Sequence, residues 1–169
     1  MNLQYFCGLF DGEGCIVIVK HKPIKNENIS YTLAMQVAMT NEKVVSLVQK
    51  AFGGNYNAMN WHTRHNNRTA YLWRLHSRNA ADLLVRMDEF LIVKQAEARV
   101  AVTFQDHMDE VRNKLRRLPP EEKAAIFEYR EQVYRTLQAM KRVSGALDGM
   151  DANSVETQNG QYRTKLSAV

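Results

Sequence analysis

Cysteine is nearly absent from this chain of 169 residues, which has two cysteines, three prolines and eight glycines. Cys7 and Cys15 do not form a CxxC pair and cannot by themselves supply a tetrahedral zinc site. They read as two free thiols in a reducing compartment, with Cys7 packed as a small apolar residue. No run of about 18 apolar residues occurs, so nothing is expected to span a membrane. The N-terminus lacks the basic region and long apolar stretch of a signal peptide, which points to a protein kept inside the cell. Acidic residues are scarce in one region. From Gly14 to Arg78 there are nine Lys/Arg and only two acids, Glu27 and Glu42. The net charge is +5, and the chain beyond Leu91 is close to balanced. A basic first half suits a polyanion, with nucleic acid ahead of an acidic membrane surface; a solvated basic face without a partner is the other reading.

What is present is a globular composition, 45% hydrophobic and 24% charged, at the length of one domain with a tail. Leu3 to Phe10 predicts a short apolar helix ended by glycine. Cys15 to Lys20 (CIVIVK) is β-branched and strand-like. The polar stretch with Pro23 is a loop. Ser30 to Ala38 alternates: Tyr31, Leu33, Met35 and Val37 on one face, small or polar residues on the other. Asn41 caps a helix to about Phe52, stopped by Gly53-Gly54. Asn55 to Trp61 and Arg68 to His76 predict two more strands, with Tyr71, Trp73 and Leu75 inward. Helices follow over Asn79 to Phe90, Val93 to about Leu118 and, after Pro119-Pro120, to about Val143. The expected fold class is α+β: four antiparallel strands with helices on one face and a bare, basic second face that suits the DNA major groove. The expected organisation is one domain over 1–143, with a core of about 3–118, a helix of about 121–143, and a polar tail over 144–169.

The stretch FCGLFDGEG, Phe6 to Gly14, sets two carboxylates between glycines at the end of the first helix. It resembles the LAGLIDADG motif of homing endonucleases. Gly8, Leu9, Asp11 and Gly14 match outright, and Glu13 replaces the motif's second aspartate with another carboxylate. The strand pairs and helices that follow keep the order of that family's αββαββα core, with its curved antiparallel four-stranded DNA-binding sheet. FLIVKQAEA (Phe90 to Ala98) is similar to the family's late lysine-glutamine segment. The resemblance covers Leu3 to Leu118 and contains one copy of the motif, whose single-motif carriers act as homodimers.

The resemblance implies a site-specific double-strand DNA endonuclease, acting as a homodimer at a long, nearly palindromic site. It would be encoded by a mobile element and work in a bacterial or phage-infected cytoplasm or in an organelle matrix. A non-cleaving binder on the same scaffold, either a transcriptional regulator or an intron RNA maturase, is the alternative. By resemblance Glu13 binds the catalytic Mg²⁺, helped by the Gly12 carbonyl, with Mn²⁺ or Ca²⁺ able to substitute, Ca²⁺ without turnover. Asp11 hydrogen-bonds local backbone and has a smaller part at the metal. Lys94 aligns with the active-site lysine; without the family it reads equally well as a solvated lysine. Met39 stands where the family often has a polar residue that orders solvent. The dimer helix would present Phe6, Cys7, Gly8, Phe10 and Asp11, although the same small residues fit a buried helix in a monomer.

Alternation gives the expected DNA face: Val17, Val19 and His21; Ser30, Thr32, Ala34 and Gln36; Ala58, Asn60 and His62; Arg68, Ala70, Leu72 and Arg74. Arg68 and Arg74 suit guanine, and Gln36 and Asn60 suit adenine. Lys20, Lys22, Lys25 and Arg64 are expected at phosphates, with Lys43 at the pocket's edge. His62 and His65 have metal-like spacing but no second ligand pair, and they read as loop residues. His65-Asn66-Asn67 lacks the rest of an HNH nuclease. A calcium loop opening at Asp11 would need a glutamate where Lys22 stands.

Overall fold

The computed structural model describes residues 1–21, 29–59 and 69–148, with side chains described to residue 142. The expected DNA contacts Lys22, Lys25, Asn60, His62, Arg64 and Arg68 lie outside these residues. The elements run α1 (Leu3–Glu13), β1 (Gly14–His21), β2 (Ser30–Met39), α2 (Glu42–Phe52), β3 (Asn55–Met59), β4 (Ala70–His76), α3 (Ser77–Met87), α4 (Gln95–Arg112), a 3₁₀ turn (Leu115–Arg117) and α5 (Pro120–Asp148). The chain forms two compact units, Met1–Leu137 and Gln138–Val169. In the second, residues 138–148 are helical and are the last ones described. Among the described residues no helix is long and apolar enough to cross a membrane.

The first unit is a four-stranded antiparallel sheet in the order β1-β2-β4-β3, with its helices on one face. Alternation decides which face is covered. Ile16 and Ile18 of β1, Leu33, Met35 and Val37 of β2, and Trp73 and Leu75 of β4 are buried. They meet Phe6 and Phe10 of α1, Val45 and Val48 of α2, Leu83 and Leu84 of α3, and Phe104 of α4 in one core. Phe6 is its aromatic hub, stacked on Phe52 at 4.5 Å and edge-on to Trp73 at 5.7 Å.

Local chemistry sets the element ends. Asn41 caps α2 by accepting from the Val44 amide at 3.4 Å, and Gly53 ends the helix at φ 76. Gly54 has φ 80, and a Cβ there would collide with the Arg74 carbonyl and the Trp73 indole nitrogen. That nitrogen donates to the Gly53 carbonyl at 2.7 Å, so the Gly-Gly turn is fastened to β4. Gly54→Ala is therefore expected to cost about 2 kcal/mol, read as a lower urea midpoint with an unchanged slope.

The later helices differ from the expected bounds. The helix predicted from Val93 begins at Gln95, because the backbone amides of Ile92 and Lys94 donate to the Asp11 carboxylate instead of to a helical turn. It ends at Arg112, short of Leu118, and the 3₁₀ turn follows. The helix expected from Asn79 begins at Ser77, where β4 runs straight into α3 and Ser77 takes a positive φ of 51. The helix after Pro119 runs to Asp148, beyond the expected Val143.

Candidate nucleic-acid interface and catalytic end

The face of the sheet away from the helices is organised in rows. Strand pairing places Cys15, Gln36, Arg74 and Asn55 side by side across all four strands. Val17, Ala34 and His76 form a second row, and Ala38, Leu72 and Asn57 a third. Val19 pairs with Thr32, His21 with Ser30, and Met59 with Ala70. Arg74 and His76 are exposed, as are His21, Ser30, Asn55 and Asn57. The Arg74 Nε lies 3.5 Å from the Gln36 Oε1, a long contact that leaves most of the guanidinium fork free. Ala34 and Leu72 are buried and offer little to a ligand. Lys43 is exposed at the start of α2.

Two expectations for this face are corrected. Ala58 pairs with Tyr71, and Tyr56 beside it pairs with Trp73, so both share the helix-covered face. The outward residues of β3 are Asn55, Asn57 and Met59, one place out of step with the expected set. Lys20 also lies on the covered side, paired with Tyr31. Its ammonium binds Glu131 of α5 at 2.6 Å, so in this structure its charge is engaged by a carboxylate of the chain itself.

Glu131 accepts from Lys20, from the Tyr31 hydroxyl at 2.5 Å and from Arg135 at 3.0 Å. The Lys20 bond, then the Tyr31 bond, pulls its carboxyl down to about 2. Burial, then the bond to Glu131, pushes the Tyr31 hydroxyl up. A carboxyl held below its unfolded value adds stability above that value, and the contribution fades as pH falls toward the folded one. In Glu131→Gln, acid-induced loss of stability between the ordinary glutamate range and about 2 should be shallower than in the unsubstituted chain. Thermal melts across that range measure it.

The other notable feature is the end of α1. The helix has no basic residue in its last turn and carries two acids there, Asp11 and Glu13. Carboxylates at a helix C-terminus face the negative end of the dipole and are unfavourable unless a cation answers them. Asp11 is answered. Its Oδ2 accepts from the Ile92 amide at 2.8 Å and its Oδ1 from the Lys94 amide at 3.0 Å, while the Lys94 ammonium donates to the Asp11 carbonyl. Asp11 thus bonds backbone, but not the local backbone expected of it: its partners lie beyond α3 and form a clamp on the segment before α4. Glu13 is not answered: it is exposed and makes no hydrogen bond or ion pair with the described residues. The glycines beside it differ. A Cβ on Gly14 would run into the Phe10 ring and carbonyl, whereas one on Gly12 or Gly8 would meet nothing within 4 Å.

The interface expected on α1 is corrected at three of its five residues. Phe6, Cys7 and Phe10 are 0%, 1% and 0% exposed, consumed by the chain's own core. Gly8 is exposed and Asp11 half-buried. The outward stripe of the helix includes Tyr5, Gly8 and Gly12, with Tyr5 60% exposed.

Metal fit can be judged from the donors present. Among the described residues no three His, Cys, Asp or Glu side chains cluster to hold an ion. One chain supplies the Glu13 carboxylate, a hard oxygen donor at the negative end of a helix. That donor set fits Mg²⁺, which keeps several waters and takes only one or two carboxylates.

No protein-family model matches the chain, and no curated protein matches it. Solved structures do match in fold. The homing endonuclease I-CvuI, in complex with the I-CreI target in 2 mM Mg with the DNA not cleaved, is 12% identical, with a TM-score of 0.64 over 82% of this chain and 80% of that one. The archaeal intron-encoded homing endonuclease I-Vdi141I, complexed with DNA, is 12% identical, with a TM-score of 0.63 over 82% of each chain. The LAGLIDADG homing endonuclease I-GzeII, with its DNA target, is 14% identical, with a TM-score of 0.62 over 79% of this chain and 44% of that one. The fold is that of the LAGLIDADG homing endonucleases.

Proposed function

We propose that the chain is a metal-dependent, sequence-specific DNA endonuclease that works as a homodimer and cuts both strands of a long, nearly palindromic site. The observation that carries this reading is Glu13: an exposed carboxylate, unpaired among the described residues, at the negative end of α1 and near a lysine-bearing segment that Asp11 holds in place. A structural acid would be placed where the dipole favours it. Glu13, with the Gly12 carbonyl, would hold Mg²⁺; Mn²⁺ would serve similarly, and Ca²⁺ would bind without turnover. The metal, when bound, supplies a nucleophilic water and stabilises the leaving oxygen. Lys94 adds positive charge near the reacting phosphate.

The surface of α1 supports the homodimer reading. Glycine inside a helix costs about 1 kcal/mol relative to alanine, and none of the described residues occupies the space that a Cβ on Gly8 or Gly12 would fill. A second copy's helix, packed backbone to backbone about a two-fold axis, uses that space and brings two Glu13 carboxylates together. The open sheet face, with the Gln36–Arg74–Asn55 row, would lie against the bases, and cationic groups such as Lys43 against phosphates. A mobile element would carry the gene, with the product acting inside the cell.

One observation favours the alternative. Met39, where a solvent-ordering polar residue is expected, packs against the core and offers no hydrogen bond to water. A binder without cleavage, whether a regulator on DNA or a maturase on intron RNA, would keep the sheet and lose the chemistry. The deciding experiment incubates the protein with a plasmid carrying the sequences that flank its own reading frame, with any intron removed. A Mg²⁺-dependent linear product supports the endonuclease. Tight binding without a cut, with or without Mg²⁺, supports the binder.

A further inference from the structure

A cleft of about 350 Å³ opens in the first unit, away from Glu13. Its wall includes Thr32 of β2, Ser77 and Arg78 of α3, Asp109 and Arg112 of α4, and Arg130 of α5. Arg130 is the anomaly. It is 5% exposed, and its Nε has no acceptor. The Phe127 ring lies 5.4 Å from its guanidinium carbon, and Tyr31 and His107 are near enough to feel its charge, but among the described residues no carboxylate pairs with it. A buried arginine with no carboxylate is costly unless an anion joins it.

The nearby acids do not serve it. Glu131 is taken by Lys20, Tyr31 and Arg135. Asp109 accepts from Arg78 and, at 3.1 Å, from Gln105, while Asp106 binds Arg78 at 2.9 Å. Arg78 is thereby neutralised, with Asp82 also within 3.7 Å of it, and Arg112 is partly balanced by Asp109, which leaves Arg130 as the cation in the wall that no acid answers among the described residues.

A second observation points the same way. The amino end of α3 lies in this wall, and no side chain caps it. Its first-turn amides, which have no intrahelical acceptor, take no side-chain cap at the positive end of an 11-residue helix. Ser77, which opens the helix, holds a positive φ of 51, unusual for a residue other than glycine and typical of sites where backbone is aimed at a ligand.

We propose that this cleft is a phosphate-binding pocket, in which the oxyanion sits between the Arg130 guanidinium and the amino end of α3. Helix amides and an arginine fork are the donors that recognise phosphate, and Thr32 and Ser77 add hydroxyls. The phosphate belongs either to the backbone of bound DNA or to a free small anion.

The test reads stability in inorganic phosphate against chloride at equal ionic strength. With phosphate at about ten times its Kd, the melting temperature of the unsubstituted chain should rise by about 3 °C. Arg130→Met, which fills the same space without charge, should melt higher than the unsubstituted chain in chloride and gain nothing from phosphate. Arg112→Gln, an exposed change that leaves the core intact, should also lose the phosphate gain; it decides the matter if Arg130→Met fails to fold.

The salt dependence of binding to a mixed-sequence DNA duplex then assigns the source. A slope reduced by about one in Arg112→Gln identifies a DNA phosphate, and an unchanged slope identifies a free anion. Equal melting temperatures in phosphate and chloride for the unsubstituted chain would overturn the proposal. The thermal measurement involves no DNA, so its failure and a failure to cleave are separate results.

Discussion

Glu13→Gln should abolish cleavage, by at least about 10³-fold in rate, and leave DNA binding within about twofold. Glutamine keeps the shape of the side chain and removes the charge that attracts a divalent cation. The substitution touches nothing else, because Glu13 is exposed and has no hydrogen-bond or ionic partner among the described residues. It also relieves the helix terminus. A carboxylate at the C-terminal end of α1 opposes the dipole, so the variant should be more stable by about 0.5 kcal/mol. Rate and stability therefore move in opposite directions, which an acid kept for structure would not do. Single-turnover cleavage, a binding isotherm in Ca²⁺ and a urea melt on the same preparation provide the three readouts. If Glu13→Gln cuts at the rate of the unsubstituted chain, the metal assignment is wrong whatever the fold.

The order of elements was legible in the sequence because period and punctuation agree there. Asn41 before an apolar stripe and Gly53-Gly54 after it bound α2 within a residue. The alternation from Tyr31 to Val37 separates the faces of β2 correctly. β3 went out of step for a reason also present in the sequence. Tyr56 and Ala58 share a parity, and an aromatic at the start of a half-buried strand belongs inward, opposite Trp73. Weighting Tyr56 first would have sent Asn55 and Asn57 outward.

What the sequence hides is tertiary. Nothing local shows that Lys20 belongs to Glu131, 111 residues away. Nor does Phe6 or Phe10 reveal which side of an apolar helix its own core will claim. α1 shows the limit clearly. Its motif named the helix, but only packing separates Phe6, Cys7 and Phe10, turned inward, from Tyr5, Gly8 and Gly12, turned outward.

The Asp11 clamp makes the second large effect, and it acts through Lys94. Asp11→Ala removes the acceptor for two backbone amides, Ile92 and Lys94, and frees the chain between α3 and α4. Two such bonds are worth about 1 kcal/mol each, so the variant should lose about 2 kcal/mol and remain folded. The catalytic loss should be larger. Lys94 is held by its amide to the Asp11 carboxylate and by its ammonium to the Asp11 carbonyl. Releasing the first bond lets the ammonium wander, and a displacement of about 1 Å can cost about 10²-fold in rate. Lys94→Met should lose a similar factor while keeping both backbone bonds, and hence most of the stability.

If the two residues act as one device, the double variant cleaves no more slowly than the slower single variant. If they act independently, the two losses multiply. The cycle measured in rate and again in stability separates positioning from scaffolding. Coupling in rate, with the stability loss confined to Asp11, is the result this geometry predicts.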